Sequence, residues 1–177
     1  SKSHGASYFP SRKGSCADRK NRPPMDPVRV ALLEQFKDNE KARFLAVLMR
    51  MARADDISAK ERDHLQPVAE WMEAGETELA QAIQLAHDDS VSLEELVVGF
   101  QHHADKGLLL YRESCAVIWV DTVKSPDEEV LLAELGRVLG ISEEFRQVLD
   151  SPLSCSPEGE RRFLTLLGGT YSSQIEG

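Results

Sequence analysis

Apolar residues recur at spacings of three and four along most of the chain, the period of helices that bury one face. The stretch VRVALLEQF (28–36) begins the pattern, and ARFLAVLMRMA (42–52) continues it with Phe44, Leu45, Leu48, Met51 and Ala52 on one stripe. A further segment covers 58–74, where Pro67 removes a backbone donor and predicts a kink or split near residues 64–66. ETELAQAIQLA (76–86) places Leu79, Ala82, Ile83 and Ala86 together, and LEELVVGFQHHA (93–104) does so with Leu93, Leu96, Val97 and Phe100. LLLYRESCAVIWV (108–120) is apolar almost all round, which predicts a central helix. DEEVLLAELGRVLG (127–140) carries Val130, Leu131, Leu135, Val138 and Leu139, and a short helix is expected over roughly 142–150.

Helix boundaries agree with the periodicity. Ser58, Ser92 and Ser125 each precede a glutamate by three residues (Glu61, Glu95 and Glu128), the capping-box spacing in which serine and glutamate satisfy each other's backbone donors. Pro126 adds a proline at a first helical position, where the missing N–H costs nothing. Gly140 suits a helix end and Gly107 a turn. No stretch alternates with period two, and no hairpin dipeptide occurs. The expected fold is all-α, a compact bundle of seven to nine helices.

An offset of 67 residues aligns Ser58 with Ser125, Glu61 with Glu128, Leu65 with Leu132, Val68 with Leu135, Met72 with Leu139 and Met51 with Ile118. Each unit reads as an apolar helix, a short acidic turn, a capping box and a second amphipathic helix. Two such hairpins bury their stripes against each other. The turns RADDISAKE (53–61) and VDTVKSPDE (120–128), together with the segment 108–142, resemble the tellurite-resistance TerB-like family over about residues 28–150. Two departures stand out. Ala54 occupies the position of the family's first aspartate, and Asp55 and Thr122 replace the glycine that follows it.

The resemblance implies a two-repeat helical domain in stress response, a protein partner and, for some members, a divalent cation such as Ca²⁺ held by acidic residues. The residues in question are Asp55, Asp56 and Glu61 in one turn and Asp121, Asp127 and Glu128 in the other. Hard cations need six to eight oxygens, so the two turns would have to face each other and share a site. Neither turn has the EF-hand pattern. Capping and the helix dipole account for Glu61, Glu128 and Asp127 without any ion.

Composition narrows the remaining classes. Hydrophobic residues make up 41% of the 177-residue chain and charged residues 29%, as in a folded globular protein. No apolar run reaches the ~20 residues of a membrane helix. Residues 1–24 hold six Lys or Arg and one Asp, leaving 15 basic and 29 acidic residues in the rest. The segment reads as a disordered basic tail or an added leader. The body it precedes repels nucleic acid and anionic lipid. Three cysteines (Cys16, Cys115 and Cys155) without regular spacing do not form a disulfide scaffold, which places the chain in the cytoplasm. Cys115 reads as a small core residue, and Trp71, Trp119, Tyr111 and Phe100 as packing residues.

The histidines at 64, 87, 102 and 103 lack transition-metal spacing, and no catalytic motif occurs. The expected organisation is thus a tail over 1–24, a helical domain over 25–153, and a short helix near 158–167 within a loose C-terminal segment 154–177. The stripe Leu164, Leu166 and Leu167 would dock on the core or bind another chain, a second copy included. The expected function is a non-enzymatic binding module with no cofactor beyond such a cation. A small carboxylate-based hydrolase or lyase, pairing Asp56 with Glu61 or His64, is the alternative.

Overall fold

The computed structural model describes residues 27–52, 59–101, 104–120 and 123–176. Nine α-helices fill them: α1 Pro27–Glu34, α2 Asp38–Ala52, α3 Ala59–Trp71, α4 Glu76–His87, α5 Leu93–Leu96, α6 Ala104–Trp119, α7 Pro126–Leu139, α8 Glu143–Leu149 and α9 Pro157–Glu176. A single 3₁₀ turn, Pro152–Cys155, separates α8 from α9. There is no strand among the described residues.

α2 and α6 form the centre. The expected stripe of α2 is buried, but so are Ala46, Val47 and Met49 on its other sides, because α4 covers one face and α6 another. Every residue of α6 from Lys106 to Ile118 is buried. Phe36, Phe44 and Phe100 meet edge to face, with centroids 5.0 to 6.4 Å apart. Two arginines on α2 close the ends of neighbouring helices. Arg50 donates to the carbonyls of Leu85 (2.9 Å) and Asp88 (2.8 Å), and Arg43 donates to those of Leu96 (3.1 Å) and Val98. These bonds satisfy carbonyls that a helix terminus leaves without partners.

Several boundaries differ from the sequence expectation. The helix over 93–104 stops after one turn because Gly99 takes φ 94°, a left-handed conformation glycine adopts without a side-chain clash. Gly107, expected in a turn, lies inside α6, where the Phe100 carbonyl would come within 3.0 Å of any Cβ. α3 runs through Pro67 without a split, because Leu65, Val68 and Met72 hold both halves against the core. Val130 is 67% exposed, and Leu132, Leu135 and Leu139 form the true buried stripe of α7. Gly140 does end α7.

The C-terminal helix is longer than expected and docks on the body. It buries Phe163 and Leu167, while Leu164 and Leu166 are half-buried. A cluster of charges joins it to α1 and α6. Arg29 pairs with Glu113 and lies 3.0 Å from Glu160, and Arg112 lies 3.4 Å from the same Glu160 oxygen. Arg29, Arg112 and Glu113 are all buried. A second buried pair, Lys106 with Glu40 at 3.1 Å, ties α6 to α2.

The helices keep the 67-residue offset seen in the side chains. Shifting α2, α3 and the start of α4 by 67 gives 105–119, 126–138 and 143, against α6 at 104–119, α7 at 126–139 and α8 starting at 143. The aligned pairs Met51 and Ile118, Leu65 and Leu132, Val68 and Leu135, and Met72 and Leu139 are all buried.

Candidate functional site

The second acidic turn joins α6 to α7, and its described part runs from Val123. Ser125 caps α7: its Oγ accepts from the Glu128 N–H (3.2 Å), and Glu128 Oε1 accepts from the Ser125 N–H (2.8 Å). The sequence signature of a capping box is thus present in full. Glu128 is buried in this role, whereas Asp127 is exposed beside the helix N-terminus, where a negative charge favours the dipole. Ser92 and Ser142 cap α5 and α8 through their hydroxyls.

Lys124 turns inward rather than outward. Its ammonium lies 2.6 Å from Asp150 Oδ2 and 5.6 Å from the centroid of the Trp119 ring. Asp150 Oδ1 accepts from the Trp119 indole N–H at 2.7 Å. One carboxylate at the end of α8 therefore holds both sides of the turn. The packing reading of Trp119 missed this polar role; the signal was the indole N–H, which seeks an acceptor when partly buried.

Behind this clamp lies a cavity of about 330 Å³. Its floor is the ring of Tyr111 from α6. Glu129 and Ala133 of α7 line one side, and Glu143, Arg146 and Gln147 of α8 line the other, with Lys124 and Asp150 at the end. Arg146 owes its position to Gly136. A Cβ at Gly136 would collide with the Arg146 Cδ and stand 3.2 Å from the Tyr111 ring, so the arginine stem lies where any other residue would place a side chain. The Arg146 Nε is buried without a hydrogen-bond partner. No contiguous motif marks this cavity, since its walls come from three helices and its decisive feature is a glycine inside α7.

The groups beneath the cavity are held neutral. Burial pushes the Tyr111 phenol well above its ordinary range, helped by Cys115 and Asp150. Burial likewise pushes the Cys115 thiol up, and Asp150 adds to it. Cys115 is fully buried, the core residue its apolar surroundings suggest.

Of the six acids singled out in the sequence, Asp55, Asp56 and Asp121 lie outside the described residues, as do His102 and His103. Glu61 stands in the first turn of α3. Asp127 and Glu128 stand together at the start of α7 but point to different tasks. No group of three or more His, Cys, Asp or Glu among the described residues is arranged to hold a metal ion. No described helix is long and apolar enough to cross a membrane. Comparison with protein-family models, curated proteins and solved structures returns no match for this chain.

Proposed function

We propose that this chain is a non-enzymatic helical binding module of the TerB-like kind, a cytoplasmic stress-response protein that holds a protein partner with a basic surface. The observation that carries the reading is the outer side of the second turn. Val123 and Val130 are 68% and 67% exposed, and Asp127 and Glu129 stand exposed among them. Apolar side chains set within like-signed charge are what a complementary surface of opposite sign recognises. The net charge of −9 favours the same kind of partner over long range. The shared 67-residue offset of the helices supports the TerB-like reading. The protonated Cys115 and Tyr111 support a binding role, since neither is primed as a nucleophile or base.

A divalent cation, Ca²⁺ first, belongs to the same proposal, but the second turn fits it poorly by itself. Glu128 has one oxygen engaged in the cap, and Lys124 adds a positive charge to the turn. A set of six to eight oxygens would have to rest on Asp55, Asp56, Glu61 and Asp121 with backbone carbonyls.

The partner reading is tested by affinity capture with Val123→Asp plus Val130→Asp beside Val98→Asp, which alters an exposed valine in the turn after α5. The first variant is expected to lose a salt-sensitive partner that the second retains. Equal capture by both, or none by the parent chain, contradicts the reading. A change in native mass of the chain alone would identify the partner as a second copy. Calorimetric titration with Ca²⁺, Mg²⁺ and Zn²⁺, repeated on Asp55→Asn plus Asp121→Asn, tests the cation; a flat titration removes it.

A further inference from the structure

We infer that the cavity between α7 and α8 binds a small zwitterion, a molecule bearing a carboxylate at one end and a cationic amine at the other, joined by an aliphatic spacer. The inference rests on Arg146 and the cavity, which share only Glu129 with the partner surface, and it is read by titration with a small molecule, so either can fail without the other.

The carboxylate end follows from Arg146. Its stem is seated on the bare backbone of Gly136, against the Tyr111 ring, which limits the directions the guanidinium can take. The Nε is buried and has no acceptor, and no ion pair involves Arg146 among the described residues. The Nε is closed off from the cavity, so a carboxylate there meets the two terminal nitrogens of the guanidinium, which accept it end-on with two parallel bonds. Lys124 does not compete for the ligand, because Asp150 already holds its ammonium at 2.6 Å.

The cationic end follows from the rim. Glu129 and Glu143 are exposed on the α7 and α8 sides, and among the described residues Glu143 has only a long contact of 3.5 Å from Gln147 Nε2. With Lys124 and Asp150 cancelling, the lining holds one cation and two anions. A dianion such as phosphate would meet Arg146 only by passing two carboxylates, whereas an amine at the far end of the ligand is attracted by them. The spacer follows from the apolar part of the lining, the Ala133 methyl with the edge of Tyr111. At about 330 Å³ the cavity lies at the small end of the range for ligand pockets, about 300–1,000 Å³, which suits a molecule of amino-acid size.

The test is isothermal titration of the full chain with L-lysine, with cadaverine, which lacks the carboxylate, and with hexanoate, which lacks the amine. L-lysine is expected to bind saturably below about 10 mM, and both analogues at least about tenfold more weakly. Arg146→Gln and Gly136→Ala are each expected to weaken L-lysine about tenfold or more while the thermal transition persists. Should either fail to fold, Glu129→Gln plus Glu143→Gln, both on the surface, is expected to lower affinity for L-lysine and leave hexanoate unchanged. Three results overturn the inference: no saturable heat with L-lysine, cadaverine binding as tightly as L-lysine, or undiminished binding by Arg146→Gln or, where that variant does not fold, by the double glutamine variant.

Discussion

Glu40 shows how much one side chain can decide. Burial pushes its carboxyl up, but the Lys37 N–H and the Lys106 ammonium outweigh that and hold it below its ordinary value of 4.5. A carboxyl whose folded pKa is depressed adds stability above the unfolded value, and that contribution fades as the pH falls through the folded one. Chemical denaturation from pH 6 to pH 3 is expected to show a shallower acid loss for Glu40→Gln than for the parent chain. Parallel curves would assign the acid loss to other groups. Replacing its partner is more drastic: Lys106→Met leaves a charge buried without a counterion and is expected to cost about 3 kcal/mol or more. Neither residue was legible in advance. Glu40 looks like an ordinary first-turn acid and Lys106 like the polar edge of an apolar helix; only the fold brings positions 66 residues apart into contact.

At the scale of elements, periodicity carried most of the information. Helices α2, α3, α4, α7 and α8 stand close to where apolar spacing placed them, and Ser125 caps α7 as expected, while Ser58 lies outside the described residues; both signals are local and written in the backbone's own requirements. The failures came where tertiary contact overrode local preference. Of the kink or split expected at Pro67 the split is absent, and Gly107 entered α6. The C-terminal helix was underestimated: the residues after 167 read as a loose tail, yet α9 continues to Glu176. Its docking predicts a clear result. Phe163→Ala removes a fully buried ring and is expected to lower stability by about 3–5 kcal/mol. Deleting residues 157–177 is expected to lower the melting temperature further, and an unchanged melting temperature would contradict the docking of α9.

For the whole molecule, the all-helical architecture was legible from pattern alone, and the candidate site was not. Capping motifs pointed to the second turn, and that turn does border the cavity, but its acids serve the helix while the distinctive group is Arg146, lodged against Gly136. Sites assembled from three helices leave no contiguous trace in a sequence. The charge cluster joining α1, α6 and α9 is likewise visible only in three dimensions. Because Arg29 contacts both Glu113 and Glu160, α1 and α9 are energetically linked through α6. Arg29→Ala is therefore expected to raise amide hydrogen exchange along α9 as well as α1. Faster exchange confined to α1 would show that the two ends open separately.

The ionised groups of α6 have one more consequence. Lys106 pairs with Glu40 of α2, Glu113 with Arg29 of α1 and Arg112 with Glu160 of α9. A neighbouring helix that slid by a single residue would strand a charge in oil, so this inner rod acts as a keyed shaft that rejects misassembled bundles even though greasy side chains alone would tolerate them.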